Sequence, residues 1–250
     1  MHHRRSAFTF IELLIVIAII AMLIGILLPS LGKARSSGRE LRCMSNLRQS
    51  HLAFTLYADR SRGFYPAQRD PLIYSPDDLE VRTGRASAGE PKGYWLWMGG
   101  GMRDILRPYL GEFTTAESPG VMICPADTTP DDAYSKTSYA YSMAFYRSVA
   151  NINSLSSISD QFGTTAAEPY GHLAEQVRFP SDKILAGEWG SFHRPVNNEF
   201  GGWWDHFGVR RFAFADGSVS PLAHDEINTA NDNNPNPNLT KDGIRGRDRR

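Results

Sequence analysis

Residues 7–20 read AFTFIELLIVIAII, a run of apolar side chains broken by one carboxylate, Glu12. The apolar run continues to Leu28, so residues 8–28 make 21 positions with a single charge. At about 1.5 Å rise per residue, a helix of that length reaches about 30 Å, the hydrocarbon thickness of a bilayer. A secretory signal peptide has a shorter apolar centre followed by a small-x-small cleavage site, and no such site precedes Pro29. The stretch therefore reads as a retained transmembrane helix, with the leader His2, His3, Arg4 and Arg5 on the cytoplasmic side. Basic residues after Pro29 oppose that orientation, but a long C-terminal domain translocates largely regardless of its charge. Glu12 stands out, because an ionisable group at membrane depth is costly and marks function.

The whole chain has 250 residues, 41% of them apolar and 11% aromatic, enough to fill the core of a sizeable domain beyond the anchor. Lys plus Arg and Asp plus Glu number 27 each, so no global field recruits nucleic acid, and no nucleic-acid partner is expected.

The basic leader, the small residue Ala7 and then Phe-Thr-Phe-Ile-Glu-Leu-Leu-Ile-Val-Ile-Ala-Ile-Ile-Ala strongly resemble the cleavage and methylation segment of type IV prepilins and of type II secretion pseudopilins. The resemblance implies a cut between Ala7 and Phe8 by a prepilin peptidase/N-methyltransferase, which removes leader residues 1–7 and methylates the Phe8 amine. One departure is visible, since the family usually has Gly where this chain has Ala7. Glu12 then lies about one turn into the mature helix, where in the family the acid pairs with the freed amine of a neighbouring subunit. Two charges that are each costly in lipid neutralise one another. The implied partners are that enzyme, other pilin-like subunits and inner-membrane lipid. The implied location is the bacterial inner membrane, single-pass, with the C-terminal domain periplasmic or in an extracellular filament.

Pro29 has no N–H and its ring clashes with the carbonyl four residues back, so a kink is expected there. Leu41, Met44, Leu47, His51, Phe54 and Ala58 recur at steps of three and four, an amphipathic continuation of the helix over residues 29–58. From residue 59 to 225 short apolar runs alternate with turn formers. The expected fold class is α+β and pilin-like: one long N-terminal helix packed on an antiparallel sheet domain with long loops. Candidate strands cover residues 94–98, 121–123, 139–145, 183–188, 209–215 and 218–222, and residues 103–110 suggest a helical turn or two.

Within VRRFAFADGSVSPLA, Asp216-Gly217 supplies the positive φ angles of a two-residue hairpin turn between two strands. His206, nine further residues and then Asp216-Gly217 also look like the C-terminal H-x9-D-G element of a subgroup of prepilin-type proteins. A structural element is one reading of these residues. The other is a catalytic or metal-binding pair, which with Glu188 would make the protein a membrane-anchored enzyme or ligand-binding module. No H-E-x-x-H or G-x-S-x-G pattern accompanies them, and no catalytic residue, cofactor or metal site is assigned.

Cys43 on the helix and Cys124 in VMICPAD form an even pair in a domain read as exported, which favours a disulfide. Its loop of 80 intervening residues gives at most about 4 kcal/mol in the chain-entropy model. The five tryptophans are read as core, with no binding role. Residues 226–250 are rich in Asn, Pro and charge and are expected to form a disordered tail. The calcium-loop pattern D-x-[DN]-x-[DN]-G is absent from them.

Overall fold

The computed structural model describes residues 10–67, 100–110, 120–128, 137–157, 171–195 and 201–250. The expected strand at 94–98, together with Trp95, Trp97, Ala7 and Phe8, lies outside the described residues. The chain divides into two compact units, residues 1–39 and residues 40–250. The first unit, as described, is helical throughout, and every residue from 10 to 39 is exposed. Its helix, α1 (Phe10–Arg60), continues into the second unit and runs through Pro29 without interruption. Beside that proline the Ser30 hydroxyl donates to the Leu27 carbonyl at 2.8 Å.

In the second unit the buried face of α1 carries Cys43, Asn46, Leu47, Ser50, Ala53, Phe54, Tyr57 and Ala58. The expected stripe is therefore turned part-way round the helix: Leu41 is 67% exposed and Met44 only partly buried, while Leu47, Phe54 and Ala58 are inside. Small and polar side chains decide this. Ala53 adds little bulk, Asn46 Nδ2 donates to the Ile123 carbonyl at 3.0 Å, and Ser50 Oγ donates to its own helix at Asn46 O, so that face can approach the domain closely.

The sheet is a four-stranded antiparallel meander in chain order: β1 (Tyr139–Tyr141), β2 (Ile184–Glu188), β3 (Val209–Phe214) and β4 (Val219–Ala223). Together with α1 this is an α+β, pilin-like arrangement. Every residue of β1 and β2 is buried, so these strands are covered on both faces, as their near-continuous apolar sequences require. One residue is inserted into β2 between Ile184 and Ala186, and the extra Leu185 carbonyl accepts from the Ser142 amide at 2.9 Å. The exposed edge strand β4 carries Pro221 facing solvent. Phe54 of α1 stacks on Tyr141 of β1 with ring centroids 4.6 Å apart. Two further α-helices are α2 (Gly100–Leu110) and α3 (Val149–Ser154).

Three expectations are corrected here. Residues 121–123 form a turn and not a strand, bracketed by Gly120 and Pro125, with the Ile123 amide returning to the Gly120 carbonyl at 3.1 Å. Strand β1 stops at Tyr141 because Ser142 caps a 3₁₀ turn over Met143–Phe145. The hairpin between β3 and β4 turns through three residues, 215–217. The Gly217 amide donates to Phe214 O at 3.0 Å, the Phe214 amide to Ser218 O at 2.9 Å, and only Gly217 takes positive φ, at 87°. This is a tight turn followed by a left-handed glycine, the usual three-residue hairpin.

Residues 226–250 are not a disordered tail. Ile227, Ala230, Leu239 and Ile244, nearly all the apolar side chains the segment has, are buried. The turns Pro237–Leu239 and Gly243–Arg245 pack on the Met143–Phe145 turn and on α3. Asparagine side chains replace the regular ladder a strand would supply. Asn238 Oδ1 accepts from the Met143 amide at 3.0 Å, Asn231 Nδ2 donates to the Ile152 carbonyl at 2.9 Å, and Asn228 Nδ2 donates to the Arg247 carbonyl at 3.1 Å. The side chains that make the composition look disordered hold the segment in place.

Asp248 closes it. The carboxylate is buried and accepts from the Ile184 amide at 2.7 Å, from Lys183 Nζ at 3.1 Å and from the Thr240 hydroxyl. Lys183 is itself fully buried. Burial pushes the Asp248 pKa up and the Lys183 pKa down, each partly restored by the charge of the other.

Candidate functional site

Glu12, the residue singled out by the sequence, sits exposed in the first described turn of α1, within the exposed apolar run that ends at Leu28. An unbroken helical span this apolar, with none of its most apolar window buried, is long enough to cross a membrane.

The second site is internal. Cys43 on α1 is bonded to Cys124 in the turn of residues 120–128, with Cα atoms 5.2 Å apart, within the range a disulfide can bridge. Ser138, just before β1, fixes Cys124: its hydroxyl accepts from the Cys124 amide at 2.9 Å and donates to Asp127 Oδ2 at 2.6 Å. Two residues that the sequence did not connect with the cysteines complete the group. Glu188 ends β2 with a fully buried side chain, and His193 follows in the next turn with its side chain 3% exposed. His193 Nε2 lies 3.2 Å from Glu188 Oε1 and 3.2 Å from Cys124 Sγ, and Glu188 Oε1 lies 3.5 Å from Cys124 Sγ. The four donor atoms all fall within 4.8 Å of one another.

Arg211 of β3 holds the other side of Glu188. Its backbone amide donates to Glu188 Oε2 at 3.1 Å and its guanidinium lies 3.7 Å away. The same guanidinium donates to Glu40 on α1, which holds the Glu40 carboxyl below the usual carboxylate range. Cys43–Cys124 and Glu40–Arg211 thus fasten the second-unit part of α1 to the domain, one by a covalent bond and one by charge.

His206 and Asp216 are not brought together. Strand β3 runs between them, and its six residues span about 20 Å at about 3.3 Å each. His206 is exposed and donates from Nε2 to Asn234 Oδ1 at 2.7 Å, tying the start of β3 to the C-terminal segment. At the other end Asp216 Oδ1 accepts from the Ser218 amide at 2.9 Å and hydroxyl at 2.6 Å, stabilising the hairpin turn. Helix α1 meets that turn through His51, whose Nε2 donates to Ala215 O at 3.1 Å. Of the tryptophans, Trp203 is fully buried, with its indole donating to Glu188 O at 2.7 Å, and Trp189 packs edge-on against Phe192 at 5.3 Å. Both are core residues.

Residues 2–28 match the family model described as the prokaryotic N-terminal methylation motif. The N-terminal segment is thus prepilin-like, and the match covers no residue beyond 28. No curated protein and no solved structure matches the chain. The matched segment runs directly into the apolar helix that is long enough to cross a membrane, which suggests a membrane-anchored, single-pass chain.

Proposed function

We propose that the protein is a structural subunit of a pseudopilus or pilus, in a type II secretion or type IV pilus-like system. The peptidase cuts between Ala7 and Phe8 and methylates the Phe8 amine. The apolar half of α1 holds the chain in the bacterial inner membrane with its leader in the cytoplasm, and the domain from residue 40 onward is exported. The observation that carries this reading is the methylation motif at residues 2–28 running straight into an exposed apolar helix with one acid.

Assembly brings apolar helices together in lipid, where Glu12 accepts the charge of a neighbour's freed amine. Two opposite charges a few ångströms apart in low dielectric attract strongly, and pairing removes the penalty each carries alone. Pro29 is the position where the helix bends as it leaves the membrane. In the oxidising compartment Cys43–Cys124 locks the helix to the domain while the anchor is under load.

The H-x9-D-G element acts structurally in this reading. His206 ties down the C-terminal segment and Asp216 with Gly217 shapes the hairpin, at opposite ends of β3. A catalytic pair would need the two side chains on one substrate, and a strand of this length keeps them apart.

Mass spectrometry of the amino terminus tests processing, with N-methylated Phe8 expected. Filament recovery and inter-subunit crosslinking of Glu12→Ala test the assembly role. Insertion is expected to persist and assembly to fall; assembly equal to the parent would sink the pairing role.

A further inference from the structure

The donor atoms around Cys124 are arranged for more than a disulfide. Glu188 Oε1, His193 Nε2 and Cys124 Sγ sit 3.2, 3.2 and 3.5 Å apart, with Cys43 Sγ completing the group. A tetrahedral zinc ion with Zn–N and Zn–O near 2.0 Å and Zn–S near 2.3 Å has ligand-to-ligand edges of about 3.3 to 3.8 Å. Three of the four ligands already lie close to those edges. When the sulfur–sulfur bond is absent, only the Cys43 and Cys124 sulfurs need to move apart, by side-chain rotation, to complete the figure.

We propose that, in the reduced chain before the disulfide closes, Cys43, Cys124, Glu188 and His193 form a tetrahedral site for one Zn²⁺ ion. Every chain leaves the ribosome with two thiols, so the state requires no added reductant. Binding releases the two thiol protons, and the sulfurs bind as thiolates: two R–SH and Zn²⁺ give Zn(SR)₂ and two H⁺. The ligands are two thiolates, one neutral imidazole and one carboxylate, a set that suits Zn²⁺ and does not suit the oxygen-seeking Mg²⁺ or Ca²⁺.

Charge and orientation favour the site. Two thiolates and a carboxylate against a dication leave one negative charge, and the Arg211 guanidinium, 3.7 Å from Glu188 Oε2, offsets it. The Arg211 amide holds the same oxygen at 3.1 Å, so Oε1 stays turned toward the centre. Glu188 and the side chain of His193 are buried, so the ion would be held away from water, where the alternative is a carboxylate and a sulfur facing each other around one imidazole proton. The ligands come from α1, the 120–128 turn, the end of β2 and the turn after it, so the ion joins the same parts that the disulfide later joins. Metal and disulfide exclude each other. When a protein disulfide of the exchange class oxidises the loaded site, the two thiolates give up two electrons and form the S–S bond. The oxidant's disulfide takes those electrons with two protons and becomes two thiols, and Zn²⁺ leaves.

The test uses the full chain in detergent, reduced with a phosphine in metal-free buffer and titrated with Zn²⁺ and, as a spectroscopic probe, Co²⁺. The expected result is one ion per chain, the intense visible absorption of four-coordinate Co²⁺ with near-ultraviolet thiolate bands, and no binding to oxidised chain. His193→Ala and Glu188→Gln should each weaken Zn²⁺ binding at least about tenfold, while His193→Cys retains it. A reduced chain that keeps its far-ultraviolet circular dichroism yet binds no ion overturns the proposal, and so does equal affinity in His193→Ala and Glu188→Gln. If reduction unfolds the chain, refolding on addition of Zn²⁺ supports the site; failure to refold at saturating Zn²⁺ counts against it.

Discussion

Asp248→Ala should be among the most destabilising single changes outside the disulfide. The carboxylate is buried, and three groups depend on it: the Ile184 amide at 2.7 Å, Lys183 Nζ at 3.1 Å and the Thr240 hydroxyl. Removing it leaves the fully buried Lys183 ammonium without its counter-charge, a loss of about 3 to 5 kcal/mol for one half of a buried pair. An orphaned Ile184 amide adds about 1 to 3 kcal/mol, with overlap between the two. A total of about 4 to 6 kcal/mol is therefore expected, a large share of a typical domain's stability. The double variant Lys183→Met with Asp248→Ala should recover part of this, because no buried charge remains.

The same pair sets a pH signature. In Lys183→Met, burial holds the Asp248 pKa above its unfolded value, opposed by the Ile184 amide and Thr240 hydroxyl but no longer by the Lys183 charge, so the folded state binds the proton more tightly than the unfolded state does. Stability contributed by the protonated acid is fully present below the unfolded carboxylate range of about 3.9 and is lost as pH rises through the folded value. Lys183→Met should thus be less destabilising at pH 5 than at pH 8. Urea denaturation of the full chain in detergent, followed by tryptophan fluorescence, measures both effects. A loss below about 1 kcal/mol in Asp248→Ala, or a Lys183→Met penalty that does not grow with pH, would show that residues 226–250 are not pinned as described.

Gly217→Val should lose about 1 to 3 kcal/mol in the same assay, because φ is 87° and an added Cβ would meet the His51 ring at 3.1 Å; an unchanged midpoint refutes the hairpin geometry. Glu40→Gln should lose about 1 to 3 kcal/mol at neutral pH by weakening a charged hydrogen bond to the buried Arg211. Since the folded Glu40 pKa is lowered, the parent's advantage over Glu40→Gln exists above the unfolded carboxylate range near 4.3 and disappears as pH falls through the folded value, which paired melts at pH 7 and pH 3 would reveal. His206→Ala should lose no more than about 1 kcal/mol, the worth of one exposed hydrogen bond to Asn234, with no change in bound metal; a larger loss would place His206 in the core packing and not at the surface.

Local pattern carried most of the fold. An apolar run of bilayer length with one acid, a helical stripe beyond Pro29 and a glycine-marked hairpin are all interactions between near neighbours, so the amino-acid order alone determines them. The hairpin shows where that reasoning stops: Asp216-Gly217 named the turn, but the β3–β4 register, set by the pairing along both strands, made it three residues long. Distance along the chain decided the rest. Lys183 and Asp248 are 65 residues apart and Cys124 and Glu188 are 64 apart, and no periodicity links such positions. Composition marked residues 226–250 as disordered because it counts apolar side chains and not the backbone groups that asparagines can satisfy. His193 followed Glu188 at a spacing with no metal or catalytic signature, and only the tertiary fold, which brings α1 and the 120–128 turn to the end of β2, put both beside the cysteines. His206 and Asp216, which a motif placed together, were separated by the one thing a motif does not record, the extended length of the strand between them.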